Sequence, residues 1–148
     1  MGEGIRMTED DRQRAVEAAI RADRFAAFLG IAIEAIGPGY CRTSVTVGEQ
    51  MVNMHGMTHG SLIHALADVA FAAAGNSRGQ TAVALDMTTS YLRATRAGDR
   101  LVAEAKEVHL TRRTGLYEIT VSVAETGELV ARTQATVYRR DHWFVPPV

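Results

Sequence analysis

The residue types that could form a reaction site lie between Asn53 and Asp68, in the order Asn53-Met54-His55-Gly56-Met57-Thr58-His59-Gly60-Ser61-Leu62-Ile63-His64-Ala65-Leu66-Ala67-Asp68. The stretch opens as a polar loop containing glycine and runs into an apolar segment, Leu62 to Ala74, broken only by His64 and Asp68. That composition predicts a helix buried on most sides. A carboxylate inside it carries a heavy desolvation cost, so Asp68 is either satisfied by a structural partner or kept because its basicity is used. Gly60 opens the helix, where unpaired amides point outward and the macrodipole favours negative charge. Attack on a carbonyl needs a base and preorganised donors for the oxygen that becomes negative, and this stretch holds both.

The histidines suggest a second chemistry. His55, His59, His64 and Asp68 have spacings that invite a metal site, and on one helix His64 and Asp68 share a face. Gly56 and the turn-like residues before Gly60 prevent a helix from starting at His55, so the ligands do not converge and no metal is expected. His59 reads as a buttress of the loop. His64 either hydrogen-bonds Asp68 and holds it ionised or is a plain surface or interface residue.

With Asn, Gly and Asp spaced Asn-x6-Gly-x7-Asp, and with His59 directly before Gly60, the segment resembles the active-site stretch of the hotdog-fold acyl-CoA thioesterases. The group it resembles most is PaaI, named for phenylacetic acid degradation. The resemblance extends from about Arg24 to Tyr138 through Phe25 to Ile31, Tyr91-Leu92-Arg93, Ala97-Gly98-Asp99 and Thr114-Gly115-Leu116-Tyr117. It implies that Asn53 and the Gly60 amide polarise the thioester carbonyl, and that Asp68 acts as base or nucleophile. It departs from the family at Met54 and Ser61, where glycines are usual, and at Ala84, where some relatives carry a hydroxyl.

Geometry adds a constraint. Gly60 and Asp68 are eight residues apart, or about 12 Å along a helix, yet both have to come within about 3 to 4 Å of one carbonyl. Two antiparallel copies around a two-fold axis satisfy this, with Gly60 of one chain facing Asp68 of the other. The expected unit is a homodimer at minimum, with a homotetramer as the fuller assembly. Met54 and Met57 beside Asn53 suit an acyl pocket and equally suit ordinary gap filling. For the phosphates of a coenzyme A substrate, Arg93, Arg112, Arg113 and Thr114 stand at strand ends and turns.

The elements that have to position these residues follow in order. Thr8 followed by Glu9, Asp10 and Asp11 predicts a capped helix to about Ala22, with a small apolar face of Ala15, Ala18, Ala19 and Ala22. A short turn of helix from Asp23 ends at Gly30. Strands are expected over about Ile31 to Ile36 and Tyr40 to Val47, then the loop and helix to Asn76. Four more strands follow, about Ala82 to Leu92, Arg100 to Leu110, Leu116 to Glu125 and Leu129 to Arg139, read as an antiparallel meander joined by short turns. One apolar helix followed by antiparallel strands is an α+β arrangement whose sheet wraps the helix, which is the hotdog fold.

At 148 residues and 47% hydrophobic content the chain suits one domain, residues 1–148, with 1–22 as an N-terminal helical extension and 141–148 as a tail that is either packed or disordered. A net charge of −1 gives no footprint for nucleic acid or an anionic membrane. No segment reads as a signal peptide or a membrane span. A single cysteine, Cys41, fits a reducing cytoplasm. The expected activity is hydrolysis of a short or aromatic acyl-CoA, without metal or redox cofactor and with coenzyme A as part of the substrate. An acyl-CoA hydratase or dehydratase using His64 with Asp68, and a non-catalytic acyl-CoA-binding module, are the alternatives.

Overall fold

The apolar segment after His59 forms one continuous helix, and the sheet closes around it. The computed structural model describes residues 6–148. Met1 to Ile5, read above as part of an N-terminus without a leader, lie outside the described residues. In chain order the elements are α1 (Glu9–Arg21), α2 (Arg24–Leu29), β1 (Ala32–Gly37), β2 (Tyr40–Thr46), a 3-10 turn (Glu49–Met51), α3 (Gly60–Asn76), β3 (Gln80–Tyr91), β4 (Arg100–Leu110), β5 (Thr114–Val123) and β6 (Leu129–Trp143). The six strands form one antiparallel sheet in the order β1-β2-β4-β5-β6-β3.

The inward faces of the strands meet α3. Leu66, Ala67, Ala70, Phe71 and Ala74 of the helix are buried against Cys41 and Val45 of β2, Leu101, Ala103 and Ala105 of β4, and Tyr117 and Ile119 of β5. Phe71 meets Tyr117 edge-to-face at 5.6 Å between ring centres, a preferred aromatic geometry. This is the hotdog fold. Polar groups in the core are paired. Thr43 Oγ1 donates to the Leu66 carbonyl at 3.1 Å, and Tyr117 Oη donates to Glu107, whose carboxylate also receives both terminal nitrogens of Arg78 at 2.6 and 2.9 Å.

The structure corrects the expected meander. β4, β5 and β6 are hairpin neighbours, but β3 pairs with β6 at the far edge. The residues between β3 and β4 therefore cross the end of the sheet instead of forming a hairpin. They are fastened as they pass: Thr58 N donates to the Thr95 carbonyl at 2.9 Å, Thr95 Oγ1 bonds Thr58 Oγ1 at 2.7 Å, and Gly98 N donates to Val47 O at 2.8 Å. This crossing segment forms one wall of the site described below.

The small alanine face of α1 lies at the surface of the domain. Ala18, Ala19 and Ala22 are exposed, whereas Arg12 and Val16 are buried. The helix packs through Arg12, which is 7% exposed. Its Nε donates to Pro146 O at 2.8 Å, its guanidinium reaches the carbonyls of Arg78 and Val145, and it lies 5.8 Å from the Trp143 ring centre. The tail is thus packed. At Gly79 (φ 82°) a Cβ would sit 2.5 Å from the Val145 carbonyl oxygen, so only glycine fits beneath it. No helix among the described residues is long and apolar enough to cross a membrane.

Arg12→Met keeps the apolar stem but leaves three carbonyls without their donor, so it should lower stability by about 1–3 kcal/mol. Urea unfolding checks this as a lower midpoint at an unchanged m-value.

Candidate functional site

Between Val47 and α3 the loop is wound tightly enough to commit most of its polar groups. Val52 and Thr58 form a β-bridge, and Asn53 N donates to Met57 O at 2.7 Å while Gly56 N donates to Asn53 O at 3.0 Å. The Asn53 side-chain oxygen accepts from His55 N at 2.9 Å and from Met57 N at 3.2 Å. An Asn oxygen spent on its own turn leaves the amide NH₂ as the end available to a ligand. That NH₂ has no acceptor among the described residues.

His59 is the N-cap of α3. Its Nδ1 accepts from Ser61 N at 3.0 Å, and its own backbone N donates to Met51 O at 2.9 Å. The expected buttressing role therefore takes a definite form, with the imidazole standing where an Asn or Asp carbonyl often caps a helix. An accepting Nδ1 places the ring proton on Nε2. Leu62 N is taken by His59 O. The Gly60 N–H alone in this first turn has no acceptor among the described residues, and helix termini present such amides to anions.

Gly60 and Asn53 line one cleft of about 350 Å³ together with Met57, Ile63, Tyr91 and Arg93. The Tyr91 ring lies over Gly60, and its hydroxyl donates to the Gly60 carbonyl at 3.3 Å. Arg93 is at the rim, ion-paired with Glu128 at 2.8 Å. A second cleft of about 340 Å³ between α1, α3 and Phe144 is lined by Ile20, Asp23, Ile33 and Val69 among others. Neither Gly60 nor Asn53 lines it.

Asp68 lies on α3 about 12 Å from Gly60 and does not line either cleft. It is half-buried, and no hydrogen bond reaches its carboxylate among the described residues. Desolvation raises its pKa above the ordinary 3.8; His64, one turn earlier, pulls it down, and the charge of Asp23 pushes it up again. The balance is a carboxylate more basic than a surface Asp. His64 is half-buried and makes no side-chain hydrogen bond to Asp68.

Other expected site residues are dispersed. Met54 is 93% exposed at the outer corner of the Asn53 turn and does not line the cleft, whereas Met57 does. Arg112, Arg113 and Thr114 lie at the β4–β5 turn. Along β6, Thr114 pairs with Tyr138 and Tyr91 pairs with Ala131, so within one chain the two ends of the sheet are roughly 23 Å apart at 3.3 Å per residue. Arg113 is ion-paired with Asp141 at 3.0 Å, Thr114 Oγ1 bonds Thr111 Oγ1 at 2.8 Å, and Arg112 is exposed. Ala84 is exposed on β3 and brings no hydroxyl. Among the described residues no group of three or more His, Cys, Asp or Glu comes together to hold a metal ion. Sequence reasoning did not single out Tyr91 or Thr95 as parts of the site. The only signal for Tyr91 was an aromatic next to Leu92-Arg93 at a strand end, and nothing local pointed to Thr95.

A free N–H at a helix start, a second amide donor beside it and a basic carboxylate on the same helix are parts for acyl transfer. A family model for the thioesterase superfamily matches residues 55–131. The chain belongs to the thioesterase superfamily. Its activity is accordingly thioester hydrolysis. It is 41% identical over 115 residues to the acyl-coenzyme A thioesterase PaaI of Escherichia coli strain K12, covering 78% of this chain and 76% of that one. The solved structure of the E. coli PaaI protein from the phenylacetic acid degradation operon superposes with a TM-score of 0.85 at 34% identity, covering 92% of this chain and 99% of that one. A Streptococcus mutans UA159 protein solved bound to acetyl CoA matches with a TM-score of 0.71 at 25% identity, over 74% of this chain and 88% of that one.

The raised pKa of Asp68 has a consequence for stability. Below 3.8 both folded and unfolded chains hold the proton and there is no penalty; as pH rises the unfolded chain ionises first, so the penalty grows and is complete above the folded pKa. Asp68→Asn removes it. The variant should melt higher than wild type at pH 7, and the difference should narrow as pH falls towards 4, as followed by thermal denaturation across pH.

Proposed function

We propose that the protein hydrolyses short or aromatic acyl-CoA thioesters, of the phenylacetyl type, at sites each built from two chains. One observation carries this: the unclaimed Gly60 N–H and the Asn53 NH₂ open into one cleft, while the unpartnered Asp68 carboxylate is held about 12 Å away on the same rigid helix. Neither half of the chemistry is complete in one chain. The acyl-coenzyme A substrate of the E. coli relative and the acetyl CoA on the S. mutans neighbour support the ligand class.

A dimer supplies the missing half. β3 is a twelve-residue edge strand with Val83, Leu85 and Tyr91 exposed and Leu92 exposed just beyond its end, and an unpaired edge is a template for pairing with another strand. Two copies of β3 running antiparallel about a two-fold axis bring the start of each α3 towards the middle of the other. The Gly60 cleft then faces the partner's Asp68. The same arrangement sets the far end of one sheet, with Arg112, Arg113 and Thr114, beside the other chain's cleft and Arg93, where they meet the coenzyme A phosphates. The outer sheet face, with a groove of about 450 Å³ lined by Val108 and Leu116 among others, is the surface on which two dimers would form a homotetramer. A reducing cytoplasm fits the free, buried Cys41.

In the reaction the carbonyl oxygen accepts from Gly60 N–H and Asn53 Nδ2. Asp68 takes a proton from water as the oxygen attacks the carbonyl carbon, and the oxyanion forms on the two donors. Collapse breaks the C–S bond, and the proton passes from Asp68 to the leaving thiolate. Direct attack by Asp68 would instead give an anhydride that water then opens. Neither route asks for metal or redox chemistry. His59 holds the start of α3, and Met57 borders the acyl group.

Asp68→Asn should lower kcat for coenzyme A release by at least about 100-fold, and Asn53→Ala by about tenfold to 100-fold, since the Gly60 donor remains. The wild-type rate should fall with acidity through a pKa above 3.8, set by Asp68. Free-thiol titration over a panel of acyl-CoA substrates reads all three, and near-wild-type hydrolysis by Asp68→Asn would remove that residue from the mechanism.

The shared site has its own test. Gly60→Pro deletes the amide donor at a position where proline suits the first helical turn, and His59 before it is already extended (φ −63°, ψ 133°). Each homodimer of Asp68→Asn or Gly60→Pro should be nearly inactive. In the heterodimer one site carries both lesions and the other neither, so subunit exchange should restore about half of wild-type activity per dimer. Verified heterodimers of folded chains without recovery would show that the two groups meet within one chain.

A further inference from the structure

Tyr91 lies in the cleft and has no assigned task. It is the last residue of β3, 53% exposed, and the only aromatic side chain among the residues lining the cleft. Its ring has no aromatic partner: the ring pairs among the described residues are Phe25 with Phe28 and Phe71 with Tyr117. Two contacts fix its orientation. The hydroxyl donates to Gly60 O at 3.3 Å, and two ring carbons come 3.4 Å from the point where a Cβ on Gly60 would sit. The ring thus stands at van der Waals distance from the side-chain position of Gly60.

A carbonyl bound at Gly60 N–H shares its cleft with this ring. The carbonyl carbon has two substituents, the acyl group and the sulfur of the pantetheine arm. The arm has to leave towards the cationic rim at Arg93 and solvent, so the acyl group turns towards Tyr91 and the buried Ile63. An unpartnered ring face there offers a planar acyl group offset or edge-on stacking as well as burial, which an alkyl chain cannot match. Resting on the reading of this cleft as the carbonyl site, we propose that Tyr91 is the specificity-determining residue of the enzyme. Its ring is the wall against which an aryl-acetyl or similar planar acyl group stacks, and its hydroxyl holds that wall in place through Gly60.

The test compares kcat/KM for phenylacetyl-CoA and butyryl-CoA in wild type, Tyr91→Phe, Tyr91→Leu and Tyr91→Ala, each with a melting curve. The ratio of aromatic to aliphatic substrate should fall by about tenfold in Tyr91→Ala, from lost stacking and lost contact area, and by nearly as much in Tyr91→Leu. Tyr91→Phe keeps the ring, so its ratio should stay within about twofold of wild type while kcat drops a few-fold on both substrates, because the bond to Gly60 O is gone. An equal loss on both substrates in Tyr91→Ala would place the ring on the pantetheine arm, and an unchanged ratio would leave it without a role in selection; either overturns the proposal. Calorimetric binding of the non-hydrolysable thioether analogues of the same two substrates gives the ratio without turnover. If wild type releases no thiol from any acyl-CoA, the thioesterase reading fails by itself. Tyr91 is then judged on the binding ratio: a tenfold shift in Tyr91→Ala upholds its role, and no shift or no binding refutes it.

Discussion

The rise of an α-helix separates Gly60 from Asp68 by about 12 Å, and the rest of the structure is arranged around that distance. α3 cannot shorten it. The helix is packed on the sheet through residues that are almost wholly buried, and the end near Asn76 is secured by the Arg78, Glu107 and Tyr117 network. A donor at one end and a base two turns along can serve one carbonyl only if another copy of the helix runs beside the first. In the dimer proposed above, the exposed edge of β3 is the surface for that copy. Sheet, helix and proposed assembly then answer the same geometric constraint.

The loop before α3 shows how few polar groups such a site leaves free. The Asn53 oxygen is consumed by His55 N and Met57 N, the His59 ring nitrogen by Ser61 N, and the His59 carbonyl by Leu62 N. Among the groups left without a partner among the described residues are the Gly60 N–H and the Asn53 NH₂ beside the cleft. Donors fixed by neighbours that are already hydrogen-bonded need no reorganisation when negative charge appears between them. The carboxylate is treated in the opposite way: Asp68 has no hydrogen-bond partner among the described residues, and burial raises its pKa, which favours taking a proton. In the proposed reaction, fixed but unclaimed donors and an unpaired base answer complementary demands.

α1 and the tail form a separate device. Arg12 binds three carbonyls contributed by the turn after α3 and by the tail, so the N-terminal helix and the C-terminal strand hold each other against the end of the core. The buried guanidinium is satisfied by these carbonyls together with the Glu9 carboxylate, 3.1 Å from its Nη1. It also explains why the alanine face of α1 is left to solvent: the helix is oriented by its arginine, and alanines gain little from burial.

Much of this was determined by the sequence alone. The apolar run from Leu62 to Ala74, the alternation in β2 and the glycine turns specify a helix and strands, because periodicity and turn chemistry act over a few residues. The spacing of Asn53, Gly60 and Asp68 suggested the candidate chemistry, and the helix rise is the ground on which two chains are proposed for one site. Only the tertiary structure decided which strand neighbours β3, since β6 and β4 are both antiparallel candidates and the choice depends on where residues 92–99 cross. It alone placed Tyr91 over Gly60, thirty-one residues away, and Thr95 against Thr58. It sent Met54 to solvent and set Arg112, Arg113 and Thr114 at the opposite end of the sheet from Arg93. Each of these depends on contacts between residues far apart in the chain, and local pattern carries no information about distances that exist only once the sheet has closed around the helix.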